Sequence, residues 1–108
     1  MIVVTTETVP GREIAEVIDI VQGSTVRTRG VGRDIVAGLR TIVGGEVHEY
    51  AELLTTARAE ALNRMVAEAE KLGADAVVQV RYNTADVMQG TAELLAYGTA
   101  VRLKDSPG

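Results

Sequence analysis

The chain contains no cysteine, no tryptophan and no phenylalanine, and its only aromatic side chains are Tyr50, Tyr82 and Tyr97. Without cysteine there is no disulfide framework, no thiolate nucleophile and no Cys-ligated zinc, which points by default to a cytoplasmic protein. Only one histidine is present, His48, and no Gly-x-Ser-x-Gly elbow, so a Ser-His-Asp triad lacks its parts. Positive charge is also scarce in one place: the net charge is -4 and the arginines are scattered. A phosphate backbone is repelled by such a surface on average, so no nucleic-acid partner is expected. Long apolar runs are missing as well. Nothing approaches the roughly 18–20 residues of a membrane span, and the stretch from Met1 to Pro10 has neither the basic nor the apolar region of a secretion signal.

What remains is aliphatic: 46% of 108 residues are apolar, a size that suits one domain over residues 1–108. A chain of this length buries only roughly 60–70% of its unfolded surface alone. With Val, Ile, Leu and Ala in place of large rings, its core is thin, and help from neighbouring copies is favoured.

Periodicity divides the chain. Ile2 to Thr6 is β-branched and ends at the Pro10-Gly11 turn, which predicts a first strand. A second runs from Glu13 to about Arg29, with Ile14, Ile18 and Ile20 on one face, Ala15, Val17 and Val21 on the other, and Gly23 marking a bend or bulge. Ile35, Leu39 and Ile42 predict a short helix between Gly32 and Gly44. A long helix follows from Val47 to Leu72, striped by Tyr50, Leu54, Ala57, Ala61, Met65, Ala69 and Leu72 and closed by Gly73. Its alanines allow close approach to a sheet, and Glu60 is placed to pair with Arg64.

Alternation at Ala76, Val78, Val80 and Tyr82 predicts a third strand, and Met88-Gln89-Gly90 a turn. The last strand, Ala92 to Leu103, sets Leu94, Ala96 and Ala100 against Leu95, Tyr97, Val101 and Leu103, and a loose tail runs from about 104 to 108. The order ββααββ implies an α+β fold, an antiparallel or mixed sheet with helices on one face. Ala15, Val17 and Val21, with Leu95, Tyr97, Val101 and Leu103, then lack a cover and mark an interface.

An ordered series of residues resembles a known family. It comprises Thr5-Thr6, Val9-Pro10-Gly11, Arg33-Asp34-Ile35 through Leu39-Arg40, Ile42-Val43-Gly44-Gly45-Glu46, Tyr50, Ala57-Arg58, Ala61, Met65, Ala69 and Gly73-Ala74-Asp75-Ala76-Val77. Together these are similar to the YbjQ-like or UPF0145 family of uncharacterised bacterial and archaeal proteins, over nearly the whole chain. The resemblance implies a dodecin-subunit-like fold assembling as a homopentameric ring, helped by extra short strands. It also carries a heavy-metal-binding label and no enzymatic activity.

Three groups of residues could carry chemistry. Glu46, His48 and Glu52 cluster where the long helix begins, and His48 and Glu52, four apart, can face one divalent metal ion such as zinc, manganese or iron. Soft heavy metals are poorly served by such donors. The plainer reading is that acidic residues complement a helix N-terminus, with His48 solvated among them. Arg33 and Asp34 follow Gly30-Val31-Gly32 at a helix start, where backbone N–H groups and Arg33 suit an anion; equally, the glycines turn the chain and Asp34 caps it. Arg58, beside the alanine stripe, is placed to reach a ligand between subunits or to pair with Asp34 or Asp75. Thr5, Thr6 and Thr8 could hydrogen-bond a ligand at such a junction.

These features converge on a cytoplasmic ring that binds a small ligand or metal ion at subunit junctions. The alternatives are a structural scaffold, or an enzyme with an intersubunit site built from Arg33, Asp34, Arg58 and the His48 region.

Overall fold

A computed structural model of the chain describes residues 1–28, 46–88 and 91–105. Within them the extended runs become β1 (Ile2–Val3), β2 (Ile14–Thr28), β3 (Ala76–Met88) and β4 (Thr91–Leu103), and the long stripe becomes α1 (Glu46–Lys71). The predicted helix around Ile35, Leu39 and Ile42 lies outside the described residues. The strands form one mixed sheet in the order β1-β3-β4-β2: β1 pairs with β3 in parallel, and the other two pairings are antiparallel. The fold is therefore α+β, with α1 across one face.

Small residues set how closely α1 lies on the sheet. Ala57, Ala61, Met65 and Ala69 are buried against Val21, Val77, Val80, Leu94, Ala96 and Ala100. A Cβ added to Gly23 would stand 2.3 Å from both the Ala61 carbonyl oxygen and the Met65 amide nitrogen. That separation is shorter than any van der Waals contact, so only glycine fits beneath the helix. Gly23 pairs in regular register with Ala96, and the bulges of β2 fall earlier, between Ile14 and Glu16 and between Val17 and Asp19. The bend expected at Gly23 is thus replaced by close helix approach. Two hydrogen bonds tie the same contact. Thr25 Oγ1 donates to the Ala57 carbonyl at 3.2 Å, and the Arg64 guanidinium donates to the Ser24 carbonyl.

Irregularities in the strands change which residues share a face. The bulge between Val17 and Asp19 shifts the phase of β2, so Ile18 and Val21 both turn toward α1 while Val17 and Ile20 turn away. Val21 is consequently buried under the helix, against expectation. Gln79 adopts φ 52° in the break between Val78 and Arg81, and there Val78 and Val80 part company. Val77 and Val80 pack under α1, whereas Ala76 and Val78 join a second cluster on the opposite face. Leu72, expected to complete the helical stripe, lies one residue beyond α1 and is 41% exposed.

The second cluster covers part of the face predicted to be bare. Val9 packs with Ala76, Val78, Val101 and Leu103, flanked by Ile2, Val4 and Ile14. Backbone hydrogen bonds hold this segment down: Val4 N–H donates to Val77 C=O, Val80 N–H to Val4 C=O, and Gln79 N–H to Thr6 C=O. The chain's own first residues thus bury Val101 and Leu103.

Candidate functional site

The residues proposed for chemistry are not gathered into one described site. Arg33 and Asp34 lie outside the described residues. Glu46, His48 and Glu52 belong to the first two turns of α1, but their side chains lie outside the described residues too. Among the described residues, no three His, Cys, Asp or Glu side chains come together as a metal group.

Arg58 is exposed on α1, where its Nη2 donates to Thr55 Oγ1 at 3.1 Å. It does not pair with Asp75. That carboxylate lies between α1 and β3, and its Oδ2 accepts the Leu103 N–H at 2.9 Å. Thr5 and Thr6 are engaged in holding the first segment: the Thr5 carbonyl accepts Arg81 Nη1 at 2.9 Å, and Thr6 Oγ1 donates to the Thr8 carbonyl at 2.6 Å.

The constellation that does form is the sheet face turned away from α1, beyond the reach of Val9. Directly opposed residues in an antiparallel pair project to the same side. The pairings Ile20 with Thr99, Gln22 with Tyr97, Ser24 with Leu95 and Val26 with Glu93 therefore line one surface, joined from β3 by Arg81, Asn83 and Ala85. Ile20 is 72%, Val17 65%, Val26 53% and Tyr97 38% exposed. These are large apolar side chains in water on a sheet, interleaved with polar ones that include Arg81 and Glu93, a composition that suits contact between proteins.

Two polar roles carried no sequence signal. Arg64, placed by the sequence to pair with Glu60, donates to the Ser24 carbonyl, a contact that depends on the glycine next to Ser24. Asp19 Oδ1 accepts the N–H of the next residue, Ile20, at 2.7 Å, which needs a backbone turned outward from the ladder. Among the described residues, no helix is long and apolar enough to cross a membrane.

Comparison with known proteins adds a family context. Residues 1–104 match a family model described as "Putative heavy-metal-binding". A UPF0145 protein of Archaeoglobus fulgidus is 64% identical over 104 residues, 96% of each chain. One of Thermus thermophilus is 58% identical over 96% of this chain and 91% of its own. Among solved structures, a protein of unknown function from Pediococcus pentosaceus, assigned to the DUF74 family, superposes with a TM-score of 0.63. It covers 96% of this chain and 98% of its own, and at 18% identity it speaks for the fold alone.

Proposed function

The chain belongs to the UPF0145 family, and from that premise we propose that it works as a subunit of a cytoplasmic homo-oligomer, a ring of five copies. A small ligand or divalent metal ion is bound where copies meet. The observation that carries this reading is the open sheet face with Val17, Ile20, Val26 and Tyr97 in solvent. Burying apolar surface is worth roughly 25 cal/mol per Å², so a second copy gains by covering it. The dimensions agree. A radius of gyration of 17.5 Å exceeds the roughly 13 Å of a compact chain of this length. Elongation of this kind leaves a long sheet with surface to share.

For the cargo, Glu46, His48 and Glu52 supply oxygen and imidazole donors close together in sequence, and these suit zinc, manganese or iron better than soft metals. Arg58, exposed on α1, is available to an anionic ligand or to a neighbouring copy, and an intersubunit active site would combine it with Arg33, Asp34 and the His48 region. A scaffold without cargo is the remaining reading.

The test is a charged substitution on the open face. Ile20→Glu combined with Val26→Glu should leave the circular dichroism spectrum unchanged while lowering the sedimentation coefficient toward that of one chain. An unaltered sedimentation coefficient would remove this face from the interface.

A further inference from the structure

We infer that Arg64 and Asp19 guard the outer edge of β2, closing it to added strands so that copies meet on the open face and assembly stops at a finite size. β2 stands at the end of the sheet order, and among the described residues its fifteen positions pair only with β4. An edge of that length is a template for open-ended strand addition unless it is blocked. The usual blocks are unevenly spread. The stretch from Ile14 to Asp19 has two bulges and the charges of Glu16 and Asp19. From Ile20 to Val26 the strand is regular, uncharged and free of proline and lysine.

In an antiparallel pair, alternate residues turn both backbone groups toward the partner strand and the residues between them turn theirs away. Ile20 N–H bonds to a side chain and Ser24 C=O to a helix residue, so Ile20, Gln22, Ser24 and Val26 are the outward set. Asp19 Oδ1 occupies the outward N–H of Ile20, and the Arg64 guanidinium occupies the outward C=O of Ser24. Together they occupy one outward backbone group at each of two points four residues apart, Ile20 and Ser24, and so interrupt the regular stretch. Gly23 makes this possible. Because a Cβ there would lie 2.7 Å from Arg64 Cβ, its absence lets α1 come down until Arg64 overhangs the edge. An arriving strand would have to displace an arginine and a carboxylate, each a charged group on a backbone partner, before it could pair.

The inference is separable from the ring. Wild-type mass reports on the open face, and growth of a variant reports on the edge. The experiment uses the full chain with Asp19→Ala and Arg64→Ala together, checked for fold by circular dichroism and urea unfolding, then followed by light scattering and thioflavin T fluorescence over a concentration series. The expected result is a folded variant whose scattering mass climbs severalfold with concentration and whose thioflavin signal rises, while wild type shows neither. A folded double variant with wild-type mass and no thioflavin signal would overturn the inference, since a merely structural Arg64 would lower the urea midpoint alone. Should the double variant fail to fold, Arg64→Gln keeps a good helix former. Growth of that single variant supports the guard, and wild-type mass overturns it.

Discussion

Gly23 of β2 and Ala61 of α1 meet so closely that a Cβ on the glycine would stand 2.3 Å from the alanine carbonyl oxygen. Backbone, not a flexible side chain, is the obstacle, so neither partner can yield without moving the helix. Gly23→Ala is therefore expected to destabilise the chain by about 1–3 kcal/mol or more through overpacking. Urea unfolding at fixed protein concentration measures the loss. A stability equal to wild type would mean that the helix lies farther from the sheet.

Met65 is fully buried at the centre of that contact, whereas Leu72, seven residues on, is an exposed side chain. Met65→Ala should cost about 2–5 kcal/mol from lost burial and a residual cavity. Leu72→Ala should stay within about 0.5 kcal/mol, as surface changes do. Thermal unfolding of the two variants side by side distinguishes them, and equal costs would contradict the placement of the core.

Thr25 is the buried polar residue of the described core, and its hydroxyl is satisfied by the Ala57 carbonyl. Thr25→Val keeps the shape and removes the donor, with an expected cost of about 1 kcal/mol. The double variant with Gly23→Ala should show a smaller further loss, because lifting the helix breaks the same bond; strict additivity would separate the two effects.

The proposed metal donors are tested by composition and not by fold. Wild type equilibrated with zinc and then dialysed is expected to retain metal that His48→Ala and Glu52→Ala release, measured by elemental analysis of the protein. Equal metal in all three would exclude His48 and Glu52 as required ligands.

How far these features were legible from residue order depends on regularity. In β4 the alternation of Leu94, Ala96 and Ala100 with Leu95, Tyr97, Val101 and Leu103 gives the faces directly, because unbroken pleating keeps a period of two. In β2 and β3 the same rule misplaces Val21 and Val80. A single extra residue at a bulge inverts everything after it, and neither Ile18 nor Gln79 advertises that it is the extra one. The cover over Val101 and Leu103 comes from Val9, a contact across most of the chain that no local pattern encodes. Ala57, Ala61 and Ala69 announced a close helix, but the matching glycine across the gap is recognisable only once the helix lies over it. For the site, Arg58 and Asp75 were chemically suited to each other, and folding placed one on the exposed side of α1 and the other against the end of β4.

The most direct measurement is the absolute mass of the native, untagged chain by light scattering coupled to size exclusion at micromolar concentration. An apolar sheet face shared between copies predicts a single species near five chain masses, constant on tenfold dilution. A stable, folded species of one chain mass would contradict it.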